Sequence, residues 1–586
     1  MPEISRDAIA DLLTDISRLL ELKGENPFKI RAYTNAARAV EMFSGDLNEE
    51  ADKGRLAEID GIGKAIAEKL TELITTGRMA FYDKLRNEFP PDIFDLFEIP
   101  GLGAKKIRVL LDELQINSIS RLERACREGK VAELDGFAKK SELKILEAIE
   151  QRRKNLGRFR FGDAAVWAEI LLQFLKDLPE SGRVEVCGSY RRRKEIVKDL
   201  DFVVATQEPA AVAEAFVGHS LVEKIIAQGE TKTTVQLESG IQVDLRLVEP
   251  AAFPFAVQYF TGSKEHNVAI RGRARECGWT LNEYRLGVDE KSAKKLADPV
   301  PEIHDEAGIY RALDLDYVDP ELRENSGEIA AAEAGTLPHL VQWENLRGIF
   351  HNHTTASDGR NSLEEMVNAA RDLGFAYYGV ADHSKSSVQA NGLQADRLLE
   401  QVKAIRELNA KLDDIEILAG TECDILKDGS LDFPDEVLSQ LDYAVASVHS
   451  VFTLPEKAMT DRIIQAMENP YITMIGHLTG RLLLIREPYA LDIPAILEAA
   501  ARTGTWIELN ANPYRLDLDW RWWRKAAEMG VKCVINPDAH AVGGLNDVWF
   551  GVCAARKGWL RRQDVINCLD WPDVLEAIKK KRSSAG

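Results

Sequence analysis

Two groups of residues in this chain of 586 could hold divalent cations. The first is in GSYRRRKEIVKDLDFVV, residues 188–204, where Asp199 and Asp201 are two apart. On a strand, both side chains point to one face. Asp244, in VDLRL, falls on another expected strand. Three carboxylates on one sheet face repel one another unless a divalent cation neutralises them. Hard oxygen ligands suit Mg²⁺. Two such ions, about 3.5–4 Å apart, form a clamp that activates an attacking hydroxyl and stabilises a leaving phosphate. Gly188-Ser189 and the arginines after them could hold a triphosphate tail. A lone D-x-D is commonly only a pair of exposed acids on an edge strand. The Gly-Ser pair, the arginine run and the third aspartate together favour the catalytic reading.

The second group is richer in imidazole. Six of the ten histidines lie after residue 350: His351, His353, His383, His449, His477 and His540. Each falls at the end of an expected strand. Asp358, Glu422 and Asp538 lie beside them in sequence or on equivalent strand ends. Imidazole with carboxylate and without thiolate suits Zn²⁺, Mn²⁺ or Fe. Nine such groups could serve three metals if one carboxylate bridges. Cys423, next to Glu422, reads as a packed strand thiol or as a group that tunes the site. Trp520, Trp522 and Trp523 either line the mouth and stack on a base or pack a helix.

The elements that must position these residues are readable from pattern. Residues 1–50 have helical periodicity, with Ile9, Leu12, Leu13, Ile16, Leu19 and Leu20 on one face. A theme then recurs as LAEIDGIGKAIAEKLTEL (56–73), FEIPGLGAKKIRVLLDEL (97–114) and a degraded VAELDGFAKKSELKILEAI (131–149). In the first two, Gly61-Ile62-Gly63 and Gly101-Leu102-Gly103 precede a helix. Glycine permits a turn that exposes successive amides, and a helix N-terminus favours an anion, so each hairpin can grip one DNA phosphate without reading a base. Two grips suit a protein straddling a gap or nick. From 184 the segments VEVCGSY, DLDFVVA, TTVQLES and IQVDLRLV read as strands. ENSGEIAAAEAGTLP reads as a linker. From about 341, seven apolar strands alternate with helical stretches, as in a parallel barrel of TIM type with one unit fewer than eight; catalytic groups belong at the C-terminal strand ends of such a fold.

Composition bounds the setting. The net charge of −20 argues against a uniformly DNA-attracting surface, but basic runs occur at 152–160 (RRKNLGRFR) and 191–194 (RRRK). No apolar stretch is long enough for a membrane span, and the acidic start MPEISRDAIADLLTDI is unlike a secretory signal. Seven scattered cysteines with no C-x-x-C fit a reducing cytosol.

With these motifs in order, G-S-x-R-R, D-L-D, VDLRL and YFTGSKEHN, roughly residues 1–318 resemble the DNA polymerase family X, typified by DNA polymerase beta. The resemblance implies that Asp199, Asp201 and Asp244 hold two Mg²⁺ ions, with Asp244 also taking the proton of the primer 3′-hydroxyl. It implies that Ser189 and Arg192 bind the triphosphate and that Tyr259 and Phe260 lie against the sugar. Gly262-Ser263 would shape the backbone there, and Asn267 and Arg271 would contact the nascent pair and template. Lys264 departs from the beta-type aspartate and offers an additional cation. Lys69, in GKAIAEKL, matches the position of the Schiff-base lysine of deoxyribose-phosphate lyase chemistry, and Tyr33 and Lys29 match neighbours of that site.

Residues 341–575 resemble the PHP (polymerase and histidinol phosphatase) family. That resemblance implies one Mn²⁺ or Zn²⁺ on His351, His353, Glu422 and Asp538, a second shared by Glu422 with His449 and His477, and a third on Asp358, His383 and His540. The expected fold is multidomain, α+β and α/β. It comprises an 8-kDa-like helix-hairpin-helix domain (1–80), a second one (81–152), a nucleotidyltransferase palm (153–250), a thumb (251–318), a linker (319–340) and a distorted (β/α)7 TIM-like PHP barrel (341–586). The order matches bacterial and archaeal family X polymerases. It implies a cytoplasmic, monomeric enzyme using gapped or nicked DNA and deoxynucleoside triphosphates in base excision repair, with 3′-to-5′ exonuclease, 3′-end trimming and abasic-site endonuclease activity. The rival expectations are a small-metabolite phosphatase on a DNA tether and a non-catalytic DNA-end scaffold.

Overall fold

The computed structural model describes residues 6–43, 46–288 and 300–584. The chain divides into two compact units, Met1–Leu156 and Gly157–Gly586.

The first unit is helical. Leu13, Ile16 and Leu19 on the helix Arg6–Lys23 are fully buried against Ala36 and Val40 of the next helix, Pro27–Met42. The repeated theme appears three times as a short turn followed by a helix, at Lys64–Thr76, Ala104–Leu114 and Lys139–Asn155. The leading glycines carry the reversal: Gly61 has φ +90° and Gly101 φ +85°, in the left-handed region that glycine enters at no steric cost. Gly63 and Gly103 are the extended N-caps, and no side chain caps either helix start. The first amides therefore have no intrahelical or side-chain partner.

The second unit opens with the strand Phe159–Arg160 and the helix Phe161–Asp177, followed by a five-stranded sheet in the order Val184–Val186, Asp199–Ala205, Gln242–Val248, Lys232–Leu237, Val222–Gln228. The two aspartate-bearing strands are adjacent and parallel, with Asp201 in register with Asp244. Their alternate residues Leu200, Phe202, Val243 and Leu245 are fully buried, which leaves the aspartates for a common face. Helices Phe253–Thr261, Lys264–Glu276 and Glu306–Ala312 follow. Residues 319–340, expected as a linker, are ordered and packed. Leu322, Ala332 and Leu340 join Ile309, Leu313 and Val318 in one core, and Arg323 is fully buried. Gly, Ser and acidic composition resembles a linker because the few anchoring apolar residues are widely spaced.

The C-terminal half contains seven parallel passes: Gly348–Asn352, Tyr377–Val380, Glu416–Ala419 (resuming as Glu422–Asp424), Val445–Ser447, Met474–Ile475, Trp506–Asn510 and Cys533–Asn536. They pair in chain order as two sheets. Parallel bridges His383–Glu422 and Asn352–Ala539 join the sheets to each other and the last strand to the first. The third pass breaks at Gly420, where a Cβ would lie 2.4 Å from the Tyr443 ring. Every pass delivers its C-terminal end to the same side, which gathers the histidines.

Candidate active sites

In the five-stranded sheet, Asp199, Asp201 and Asp244 lie on two adjacent strands, with Asp201 directly beside Asp244. Burial, then the charges of Asp199 and Asp244, pushes Asp201 up to about 7. Burial and Asp244 also raise Asp199. Both shifts come first from burial and then from the crowding of like charges. Asp244 accepts hydrogen bonds from the Thr234 hydroxyl (2.7 Å) and Gln242 (3.3 Å) and pairs with Lys232 at 2.7 Å. Gly188 is required sterically: it has φ +64°, and a Cβ there would lie 2.1 Å from Asp201 Oδ2. The acid donor set fits divalent cations.

The residues expected on the nucleotide side are held as follows. Ser189 lies on the single turn Gly188–Arg191. Arg192 donates from Nε to Glu324 (3.0 Å) and from Nη1 to the Thr261 carbonyl (2.5 Å), while Gly262 leaves room for that guanidinium. Tyr259 and Phe260 stand edge to face, with centroids 5.1 Å apart. Asn267 donates to the Tyr259 carbonyl (2.7 Å), and Arg271 donates to the Asn267 carbonyl (3.2 Å). The run 191–194 is not a free basic face. Arg191 pairs with Glu306, Arg192 and Lys194 with Glu324, and Arg193 stacks on Trp549.

In the helical unit, Lys69 and Lys29 both lie over the Phe81 ring, at 5.3 and 5.6 Å, and Tyr33 stacks on it. The three candidate lyase residues thus share one aromatic platform. Lys69 also donates to the Ala65 carbonyl (2.7 Å).

The nine ligand-competent residues of the C-terminal half converge on one mouth. Glu422 is its centre, with oxygens 3.3 Å from His351, 2.9 Å from His383, 3.2 Å from His449 and 3.0 Å from His477. His353 lies 3.2 Å from Asp538, and Asp358 lies 3.5 Å from His540 and 3.7 Å from His383. Their donor atoms form four overlapping groups able to surround a cation: His353, Asp358, His383 and His540; His351, His353 and Asp538; His351, Glu422 and His477; and His383, Glu422 and His449. Buried His351 Nε2, His353 Nδ1, His383 Nδ1, His477 Nδ1 and Glu422 Oε1 have no hydrogen-bond partner. Such orphaned atoms are costly in a core unless something else binds them, and this set fits first-row divalent metals.

The backbone itself is strained for this purpose. His351, His477 and Asp538 have φ of +56°, +23° and +53°, costing on the order of 1–3 kcal/mol each. Electrostatics follow the crowding. Burial opposes charge on His351, but Glu508, Glu422 and Asp538 overcome it and raise the imidazole well above its usual value. Against the same opposition, Glu422 and Asp424 bring His449 up to about 10, and Asp358 and Asp538 bring His540 up to about 9. Burial and the neighbouring His540 and His383 push His353 down to about 4.

Several supporting residues were not anticipated. Glu508 Oε1 is 2.5 Å from His351 Nδ1, and its other oxygen accepts from the His477 amide (2.6 Å). Asp424 is 3.0 Å from His449 Nδ1. Asp382 gathers the Thr354 amide and hydroxyl and Gln401. Glu508 and Asp424 touch ring nitrogens, as carboxylates that fix the orientation of metal-ligating histidines do, whereas Asp382 braces the turn at Thr354. The available signals were Asp382 next to His383, Asp424 two residues after Glu422, and Glu508 in WIELN on the strand between two candidate ligand strands. Arg486 and Arg515 line the same cleft, about 400 Å³ in volume, and Arg515 Nη1 is buried without a partner. The tryptophans do not line it. Trp523 is buried in the core, Trp520 donates to Glu195 (2.9 Å), and Trp522 packs on the core rim. Cys423 is a packed thiol, raised to about 12 by burial.

These two sites lie in a chain whose sequence matches four known domain families. They are a helix-hairpin-helix domain (5–79), a SAM-like helix-hairpin-helix tandem (93–151), the DNA polymerase beta thumb (256–324) and the PHP domain (350–512). The DNA polymerase/3′-5′ exonuclease PolX of Bacillus subtilis is 39% identical over 98% of this chain and 99% of its own length. The chain belongs to the PolX family of DNA polymerases. Its C-terminal part is also similar to probable phosphatases. That of Thermoanaerobacter sp. (strain X514) is 28% identical over 40% of this chain and 96% of its own length, and that of Clostridium acetobutylicum is 28% identical over 33% and 78%. Along the chain the order is two helix-hairpin-helix segments, the thumb and the PHP domain. Among the described residues, no helix is long and apolar enough to cross a membrane.

Proposed function

We propose that this protein is a family X DNA polymerase that fills short gaps during base excision repair, with a PHP 3′-to-5′ exonuclease that clears blocked 3′ ends. The observation carrying this reading is the pairing of two separate divalent-cation sites in one chain that aligns end to end with a polymerase/exonuclease. Divalent cations held there supply neutralisation of the transferring phosphoryl oxygens and acidification of the attacking hydroxyl or water. Two Mg²⁺ ions in the palm and up to three Mn²⁺ or Zn²⁺ ions in the PHP mouth match the donors.

The chain's own groups do the rest. Asp199, Asp201 and Asp244 hold the palm ions, and Asp244 receives the primer 3′-hydroxyl proton. Ser189 and Arg192 orient the triphosphate, Tyr259, Phe260 and Gly262 bound the sugar, and Asn267 and Arg271 face the nascent pair. In the PHP mouth, the nine ligands hold the ions while Arg486 and Arg515 grip the substrate phosphate. The amides after Gly61, Gly63, Gly101 and Gly103 grip backbone phosphates on the two sides of a gap or nick.

The finer assignments are part of the same proposal. The domain division is 1–80, 81–152, 153–250, 251–318 and 341–586, with 319–340 joining the last two and packing into the core of 251–318. Abasic-site endonuclease activity belongs to the PHP mouth, and deoxyribose-phosphate lyase activity to Lys69, supported by its grouping with Lys29 and Tyr33. The enzyme is a cytoplasmic monomer, a setting supported by seven unpaired cysteines.

The test is primer extension and 3′ trimming on a one-nucleotide gap. Asp201→Ala is expected to abolish synthesis and keep trimming, and His353→Ala to do the reverse. Loss of both activities in each variant overturns the two-site reading. The phosphatase-like relatives favour one competing reading, release of phosphate from small monoesters with no action on DNA. Such release by a protein inactive on the gap would establish it.

A further inference from the structure

One helix of the C-terminal half, Val548–Lys557, is built into the polymerase half. It follows His540 of the metal mouth through the turn Val542–Asp547. Cys553 belongs to the same core as Phe161, Tyr190 and Phe202, and Trp549 and Phe550 pack on that core. Trp549 also carries the Arg193 guanidinium 5.0 Å above its ring. Two consecutive arginines of the G-S-x-R-R-R segment therefore meet this helix, Arg193 at its start and Arg192 at its end.

The end is the unusual part. Lys557 is fully buried. Its Nζ donates to Glu324 Oε1 at 2.7 Å, to the Arg192 carbonyl at 2.9 Å and to the Glu321 carbonyl at 3.2 Å. Glu324 Oε1 accepts at the same time from Arg192 Nε at 3.0 Å. Burial pulls the ammonium down to about 8, although Glu324 opposes that shift. Docking alone needs no such group, because a buried ammonium is expensive and an apolar side chain of similar length would fill the space. What the ammonium adds is direction. It fixes both the main chain of Arg192 and the carboxylate that orients the Arg192 guanidinium.

We propose that Lys557 is a positioning residue for DNA synthesis: through Glu324 and the Arg192 main chain, it sets Arg192 for the nucleotide triphosphate. The PHP half thereby determines the nucleotide affinity of the palm. This inference rests on the reading of Arg192 as a triphosphate contact, and the experiment separates the two.

The full chain is bound to a one-nucleotide gap whose primer ends in a dideoxynucleotide, and dATP is titrated in the presence of Mg²⁺. Lys557→Met is expected to weaken dATP binding about tenfold, the scale of one hydrogen bond to a charged group. On an extendable primer, KM for dATP should rise by the same factor, with kcat within about twofold and 3′ trimming unchanged. Glu324→Gln should give a similar loss, and the two changes together should not multiply. Arg192→Ala should weaken dATP on its own, and in that background Lys557→Met should add nothing. If Arg192→Ala leaves dATP affinity unchanged, the reading of Arg192 fails and the inference with it. If Arg192→Ala weakens dATP while Lys557→Met and Glu324→Gln do not, the inference alone is overturned. Should Lys557→Met lose trimming and dATP binding together, the fold has been lost, and Glu324→Gln decides.

Discussion

A histidine can ligate a cation only through the nitrogen that points at it, and in the PHP mouth Glu508 decides which nitrogen that is for His351. Its carboxylate is 2.5 Å from Nδ1, leaving Nε2 buried and facing Glu422 and Asp538. Glu508→Gln keeps the shape and removes the charge. We expect it to lower Mn²⁺ affinity about 10–100-fold, read by metal titration, and to depress trimming at limiting metal while gap filling stays intact. An unchanged Mn²⁺ titration would show that Glu508 only packs. The nine candidate ligands could be picked out in the sequence because eight fall on or just after an expected strand and Asp358 follows two of them in the next turn. Glu508, Asp424 and Asp382 were not, because an acid within or beside a strand looks the same whether it braces a histidine, as the first two do, holds a turn, as Asp382 does, or faces water; only the fold distinguishes them. The palm aspartates were legible for a related reason: period two on Asp199 and Asp201 already implies a shared face. What the sequence could not convey is that Gly188 is demanded by the Asp201 carboxylate itself.

At the scale of elements, the helix Glu306–Ala312 is fastened to the sheet side by one acid. Glu306 is held by Arg191 at 2.9 Å and by Arg323. Burial would raise its carboxyl, but Arg323 and Arg191 outweigh that and lower it to about 2. A depressed carboxyl stabilises the fold above its unfolded value, near 4.5, and that contribution is lost as pH falls toward about 2. The whole shift corresponds to on the order of 3 kcal/mol. Glu306→Gln should therefore melt below the native protein at pH 7, and the gap should narrow steadily between pH 4.5 and 2.5. A gap independent of pH in thermal melts would refute this account. The same region shows where reading by composition stops. ENSGEIAAAEAGTLP looks like a linker, yet Glu328 in it is fully buried against His266 at 2.7 Å. Short-range pattern carries no sign of a partner more than sixty residues away. The glycine hairpins needed no such partner, since their reversal is local, and the repeat could be read directly.

Across the molecule, the cores show what is separable. The core of the helical unit draws only on residues up to 149, whereas the palm core includes Cys553 and is covered by Trp549 and Phe550. A chain ending at residue 340 would expose Phe161 and Tyr190 and remove Lys557. We expect that chain to melt well below the full protein and to fill gaps more slowly than full-length His353→Ala, compared by calorimetry and single-turnover extension. Equal melting and equal rates would show that the C-terminal helix is a passive neighbour. The seven-strand arrangement was legible from its regular alternation; the graft of its penultimate helix onto another core was not, because amphipathic pattern specifies a buried face without specifying against what.

That shared helix has a practical side. A synthesis-only variant is better obtained by changing one imidazole than by shortening the gene, because the scissors and the pen are cast around the same rod. Descendants that abandoned cleavage would be expected to keep the rod and let the blade rust.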